Sequence, residues 1–289
     1  MNEHQNCIVC NSKEIPNLTG YENAYLCQCQ SCGLVFSKKI PTAEELEKYY
    51  KNYGINNYLS PITIKRYNQI LDKLEVYRKT NKLLDVGCGI GFFLVEAKKR
   101  GWEVYGTELS EASAKICSEK GILIQNGILN SENYSPESFD VITSFEVIEH
   151  INNPIPDLRN FYTILRKGGL VYITTPNFNS LLRYKLKGNY NIITYPEHLS
   201  YYTSHTLNKA FSLSGFKKLR IETTGISLTR FKTSKGQSDQ KMISAKSDDE
   251  RIRTQMDSNW YLKFIKQLIN TSLTNIGKGD SIKGWFIKP

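Results

Sequence analysis

At 289 residues, with 40% apolar and 11% aromatic content, the chain can bury one sizeable core and a small appendage, so a globular protein is expected. No window reaches the roughly 18 consecutive apolar residues of a membrane span, and the opening MNEHQNC lacks the basic-then-apolar pattern of a secretory signal, so a cytoplasmic location is expected. The net charge of +10 is uneven: residues 1–160 carry 17 Lys and Arg against 20 Asp and Glu, and residues 161–289 carry 21 against 8.

Such asymmetry points to an anionic partner for the C-terminal half, whether nucleic acid, a phosphorylated metabolite or an acidic membrane surface; a merely solvated basic face is the alternative. Residues 1–40 hold five of the seven cysteines and read as a separate small module. Cys7-Ile-Val-Cys10, eighteen intervening residues and Cys29-Gln-Ser-Cys32 have the spacing of a four-cysteine zinc ribbon. Asn11 and Gly33, directly after the pairs, tolerate the left-handed backbone of a metal knuckle. A module of about 40 residues buries too little apolar surface to stand alone, so zinc would stabilise it. Four thiolates close the coordination shell, which makes the metal structural. Cys27 is a spare thiol that competes with Cys29 as ligand. Only Lys13, Lys38 and Lys39 are basic in this stretch, against Glu3, Glu14 and Glu22, so it lacks a phosphate-gripping surface.

Residues 41–79 are expected to form a helical connector. Pro41 and Thr42 can open a first helix with an acidic first turn, and a second follows Pro61 with Ile62, Ile70, Leu71, Leu74 and Tyr77 on its apolar side. Tyr49, Tyr50, Tyr53 and Tyr58 either line an acceptor pocket or pack structurally. From residue 80 to 289 strands alternate with helices: KLLDVG, EVYGTEL, ILIQN, FDVITSFEVI and GLVYITTP read as strands with helices between them. This is the pattern of a doubly wound α/β sheet with right-handed crossovers. TSHTLNKAFSLSG reads as a helix, FKKLRIETT as a strand and SIKGWFIKP as the last strand. A polar, lid-like insertion is expected at about 226–280, aperiodic over 226–259. Its second part carries a helical stripe through Leu262, Ile265, Leu268, Ile269, Leu273 and Ile276, read as packing, with membrane-surface contact as the alternative.

The glycine turn in KLLDVGCGIGFFL misses the dinucleotide fingerprint, because Phe92 stands where the third glycine belongs and Gly91 precedes it. Asp85 would repel a phosphate and welcome a positively charged ligand. Here the chain resembles the class I S-adenosylmethionine-dependent methyltransferases, whose first motif matches LDVGCGIG at Leu84 to Gly91. The resemblance implies a seven-stranded Rossmann-like sheet ending in an antiparallel strand, and cofactor contacts from Asp85, Gly87, Gly89 and Gly91. It further implies that Glu108 holds the ribose hydroxyls and that Phe145 lies in the fourth motif, FDVITSFEVIEHI. Ile128 stands where the family often has an acid near the adenine, which leaves Asn126 as the candidate there.

Two adjacent acid–histidine pairs are candidates for removing a proton from the acceptor, Glu197-His198 first and Glu149-His150 second; no histidine base is the third reading. His205 is assigned to the helix after Thr203 and His4 to an exposed terminus. EHLSYYT behind a cysteine ribbon is similar to the C-methyltransferases of 4-keto nucleotide-sugars, although the large C-terminal domain of those enzymes has no counterpart here. The function so implied is methyl transfer to a small molecule, nucleotide-sugar or glycan precursor in polysaccharide biosynthesis, with an anionic acceptor. A general resemblance to ubiquinone methyltransferases implies quinone-type O-methylation instead. The competing readings are an RNA base methyltransferase and a non-catalytic cofactor-binding or assembly module.

Overall fold

In the computed structural model, which describes residues 2–51, 58–236 and 259–289, the cysteine-rich segment forms a hairpin of β1 (Leu26–Gln28) and β2 (Val35–Ser37). The connector follows as α1 (Ala43–Lys51) and α2 (Pro61–Leu74). Ser60 caps α2 by accepting from the Ile62 amide, and Pro61 fills the first turn, where its missing N–H costs nothing. Of the tyrosines considered as pocket lining, Tyr53 and the side chain of Tyr50 lie outside the described residues.

Alternation then sets in: β3 (Lys82–Val86), α3 (Phe92–Lys99), β4 (Glu103–Glu108), α4 (Glu111–Glu119), β5 (Leu123–Asn126), β6 (Phe139–Phe145), α5 (Pro154–Ile164) and β7 (Leu165–Pro176). The chain continues through α6 (Leu181–Leu186), β8 (Ser200–Tyr201), α7 (Ser204–Leu213), β9 (Lys217–Thr224), α8 (Leu228–Ser234), α9 (Trp260–Ile276) and β10 (Ser281–Ile287). Among the described residues the main sheet has seven strands in the order β5-β4-β3-β6-β7-β10-β9, as the sequence implies. β10 runs antiparallel to both its neighbours, and the pairs among β3 to β7 are parallel. β3, β6 and β7 are buried almost throughout because helices cover both faces, which explains their continuous apolar runs.

The cysteine hairpin joins this body through a third strand. β8 pairs with β2, Tyr201 opposite Val35 and Ser200 opposite Phe36, and the Ser37 amide donates to the Leu199 carbonyl at 2.8 Å. Cys7, Val9, Leu34 and Phe36 share one apolar cluster with Ile148, Leu158, Tyr202 and Leu207. A segment too small for its own core thus borrows one.

Two expectations for the C-terminal part change. Within 226–259, read as aperiodic, residues 228–234 form α8, since Ser227 caps it by accepting from the Arg230 amide while its own amide donates to Asp280 at 2.7 Å; residues 237–258 lie outside the described residues. The α9 stripe is only partly packed: Leu273 is buried, whereas Leu268, Ile269 and Ile276 are exposed beside Trp260 and Phe264. Among the described residues no helix is long and apolar enough to cross a membrane.

Opposite the strands' C-terminal ends, Asp140 is fully buried and accepts from the amides of Lys79 (2.7 Å) and Asn81 (2.8 Å) and from Arg166 Nε (2.5 Å). It ties the connector to β7. Arg166→Leu leaves this carboxylate without its cation and is expected to cost about 3 kcal/mol in urea unfolding. Adding Asp140→Asn should return part of that loss, and no recovery in the double variant contradicts the assignment.

Candidate active site

The glycine turn starts where β3 ends, and its three glycines divide the work. Gly87, Gly89 and Gly91 have φ of 72°, 56° and 76°, a left-handed region that side chains disfavour. A Cβ on Gly87 would stand 2.5 Å from Val147, and one on Gly91 2.5 Å from Ile122, so these two positions are closed by packing. A Cβ on Gly89 would meet nothing within 4 Å. That glycine faces open space, the surface a ligand can approach closely.

Glu108, at the tip of β4, pins the turn: its carboxylate accepts from the Gly89 amide and the Ser110 amide, both at 2.9 Å. The β4–β5 register places Asn126 beside Glu108 on the same rim. Leu109 and Ile128, the apolar residues just past these two strand ends, are 58% and 72% exposed. Apolar side chains left in water around a polar rim suit the faces of a flat base. Phe145 stands behind the turn, its ring 4.9 Å from Phe93 and 5.6 Å from Tyr172, and so shapes the wall.

Asp85 is 2% exposed and accepts from Thr143 Oγ1 at 2.7 Å. Burial pushes its carboxyl up to about 8, so it keeps its proton near neutrality until a positive charge arrives. The turn, rim and carboxyl together fit a nucleoside that carries a cation.

A second cluster lies just beyond Val147, the residue packed on Gly87. Glu149 is 2% exposed; Oε2 accepts from Thr175 Oγ1 at 2.9 Å and Oε1 has no hydrogen-bond partner. His150 Nδ1 donates to the Glu197 carbonyl at 2.6 Å and His198 Nδ1 to the Ile192 carbonyl at 2.8 Å. A carbonyl only accepts, so Nδ1 carries the hydrogen in each ring and Nε2 is left with its lone pair. The rings meet edge to face with centroids 4.9 Å apart, and one ligand atom from each of Glu149, His150 and His198 lies within 4.8 Å of the others. Burial lowers the pKa of both histidines, His198 to about 4, and raises that of Glu149.

The pairing differs from what adjacency in sequence suggests. Glu197 serves His150 through its backbone carbonyl, and its carboxylate accepts from Thr194 at 3.1 Å. Arg230, from α8, places Nη2 3.9 Å from the carboxylate of Glu146 at the mouth of this cluster. Sequence reading missed it by treating 226–259 as loop, although Ser227 three residues ahead is a helix-capping residue.

A family model described as a methyltransferase domain matches residues 61–221, more than half of the chain. The chain belongs to this methyltransferase family. It is 32% identical over 121 residues to a ubiquinone biosynthesis O-methyltransferase of Pseudomonas entomophila, covering 39% of this chain and 51% of that protein. A namesake from Aeromonas salmonicida is 31% identical over 105 residues, 34% of this chain and 44% of that one. The chain thus spans about half the length of the curated relatives it matches. In fold it is similar to an Archaeoglobus fulgidus SAM-dependent methyltransferase, with a TM-score of 0.53, 19% identity and coverage of 84% of this chain and 98% of that one. It is likewise similar to Haemonchus contortus phosphoethanolamine N-methyltransferase 2 in complex with S-adenosyl-L-methionine, with a TM-score of 0.55, 21% identity and coverage of 88% and 62%.

In this family member the cysteine hairpin is linked to the second cluster by backbone hydrogen bonds. β8 begins two residues after His198, and the Leu199 amide donates to the Glu149 carbonyl at 2.7 Å. His4 donates no loose end: its Nε2 lies 2.7 Å from Asn152 Oδ1, which replaces the exposed terminus expected for it, while His205 is exposed at the start of α7. The sulfurs of Cys7 and Cys32 are 3.6 Å apart and those of Cys10 and Cys29 3.5 Å, and all four lie within 4.8 Å of one another. Bonds of about 2.3 Å to one tetrahedral zinc put sulfurs roughly 3.8 Å apart, so the four fit that ion. Cys27 is outside the group and turns its sulfur to the Phe36 carbonyl at 3.4 Å, which leaves Cys29 in the set.

The buried Asp85 makes the protein's stability depend on pH. Its folded pKa of about 8 exceeds the ordinary 3.8, so between these values the unfolded chain has lost a proton that the folded chain keeps. Stability therefore falls as pH rises from about 4 towards 8, by up to about 1.4 kcal/mol per pH unit from this group. Urea unfolding of Asp85→Asn at several pH values is expected to show a flatter profile over that window; identical slopes in both proteins contradict the assignment.

Proposed function

We propose that this protein transfers a methyl group from S-adenosylmethionine to a hydroxyl of a small-molecule acceptor. The observation that carries the reading is the open Gly89 surface between buried Asp85 and Glu108, joined through Val147 to the Glu149–His150–His198 cluster. Bound over the turn, S-adenosylmethionine supplies a methyl group on a cationic sulfur. Asp85 ionises against the positive charge of the methionine end, Glu108 accepts from ribose hydroxyls, and Asn126, Leu109 and Ile128 border the base.

On the acceptor side His198 and His150 are unprotonated near neutral pH, which makes their Nε2 atoms available to a hydroxyl. His198 takes the first role, Glu149 and His150 complete the wall, and the Glu197 carbonyl orients His150. An O-acceptor is favoured because the curated relatives are O-methyltransferases. Arg230 and the excess of basic residues after 160 favour an anionic group on the acceptor. We further infer that Cys7, Cys10, Cys29 and Cys32 hold a structural zinc that fixes the hairpin and, through β8, the segment carrying His198.

Calorimetry with S-adenosylmethionine is expected to give one site, and S-adenosylhomocysteine should accumulate when an extract of small metabolites is added; absence of binding removes the reading. His198→Ala should lower turnover about 10²–10⁴-fold with cofactor affinity retained. Turnover equal to that of the unaltered protein removes His198 from the reaction. For the ribbon, elemental analysis should find a zinc that survives dialysis and is lost in Cys10→Ser together with thermal stability, and a zinc-free, equally stable protein contradicts the structural metal.

A further inference from the structure

We propose that Glu149, His150 and His198 form a divalent-cation site, separate from the thiolate cluster, whose open positions take adjacent oxygen atoms of the acceptor. Three features of the side chains support it independently of any reaction. First, one ligand atom from each lies within 4.8 Å of the others, close enough to converge on one ion. Second, both imidazoles have their Nδ1–H held by a backbone carbonyl, Glu197 at 2.6 Å and Ile192 at 2.8 Å. This is the outer support that fixes the tautomer and aim of a metal-ligating histidine and leaves Nε2 for the metal. Third, Glu149 Oε1 is buried without a partner although Oε2 is satisfied by Thr175. A buried oxygen without a partner is costly, and neither imidazole relieves it with a hydrogen bond. An ion between the three groups satisfies the oxygen and both nitrogens at once.

The donor set also says which ions suit it. Two imidazole nitrogens and one carboxylate are borderline to hard ligands, favouring Mn²⁺, Fe²⁺, Co²⁺ or Zn²⁺, and three protein ligands leave open positions. The four cysteines, in contrast, form a soft and closed set. Nearby, Glu146 adds negative charge, while Arg230 is engaged with it at 3.9 Å.

The use of the cation rests on the methyl-transfer reading; its binding does not. With the cation bound, the Nε2 lone pairs are occupied and His198 acts through the metal in place of direct proton removal: an acceptor with two adjacent oxygens, such as a vicinal diol, a catechol or a hydroxy acid, would occupy two open positions, which favours loss of its hydroxyl proton to water. The oxygen then forms the bond to the methyl carbon as the carbon–sulfur bond breaks and its electron pair returns to sulfur. S-adenosylhomocysteine, the methyl ether and one released proton balance the reaction.

The test titrates the full-length, zinc-loaded protein with Mn²⁺, followed by electron paramagnetic resonance, and with Co²⁺, followed by absorption. One Mn²⁺ per chain is expected, and Co²⁺ should give the weak bands of nitrogen and oxygen ligation. Glu149→Gln and, as a second and milder change, His198→Gln should each weaken binding at least about 10-fold while S-adenosylmethionine still binds, which reports a folded protein. The proposal is overturned if neither ion binds the unaltered protein, or if both variants bind as it does. Methyl transfer that proceeds equally in the presence of a chelator, with Mn²⁺ binding intact, removes the cation from the reaction and leaves the methyl-transfer reading standing. Metal binding without methyl transfer to any acceptor bearing adjacent oxygens does the reverse.

Discussion

The pairing of β2 with β8 is the constraint on which the Glu149–His150–His198 cluster of this protein depends. Two residues of strand, Ser200 and Tyr201, are all that the segment after β7 contributes to the hairpin's sheet, yet they follow His198 almost directly. The Leu199 amide and carbonyl are both used, one by Glu149 and the other by Ser37. Backbone hydrogen bonds therefore run from the cysteine hairpin, through Leu199, to the carboxyl residue of the cluster. A loop held this way has little freedom to turn His198 away from His150. The hairpin in turn is too small to hold itself, which is why its cysteines and its share of the common apolar cluster, which includes Ile148 beside Glu149, matter to the site.

On the other side of Val147 the design is electrostatic. Asp85 sits where water cannot reach it, beside Thr143, and is kept neutral by that burial. A permanent carboxylate there would have to be stabilised by further donors, and Thr143 offers one. A ligand that brings its own positive charge changes the balance, because the charged pair forms in a medium where opposite charges attract strongly. A phosphate brings the wrong sign. In the proposed binding mode the carboxyl at the strand tip selects by charge, and the glycines beside it by space, since of the three only Gly89 leaves room.

Much of this could be read from the residues themselves. The order of apolar runs dictates an α/β sheet, and the spacing of the two CxxC pairs brings four sulfurs together, because both patterns arise from local geometry: the pitch of a strand, and the reach of a knuckle. Asp85, the three glycines and Glu108 share one turn and the strand tip next to it, which the βα repeat fixes. The histidines show the limit. Their neighbours in sequence are acids, but Glu149–His150 lies in a 3-10 turn and Glu197 closes another turn, so tertiary contacts decide the partners: each ring is served at Nδ1 by a backbone carbonyl, Glu197 for His150 and Ile192 for His198. β8 is too short to carry a period, and Arg230 joins the site only because Asp280, far along the chain, anchors the start of α8. The α9 stripe has a helical period without being a buried face, which periodicity alone does not distinguish.

If the cysteine hairpin holds the histidine segment in place through β8, loosening the hairpin must loosen that segment. Hydrogen–deuterium exchange on the full chain tests it most directly, comparing the unaltered protein with Cys29→Ser, which weakens the hairpin and leaves the histidines untouched. Faster exchange is expected in the hairpin and, to a similar degree, in residues 192–201, with β3 and β4 unchanged. Faster exchange in the hairpin while residues 192–201 stay protected would contradict it.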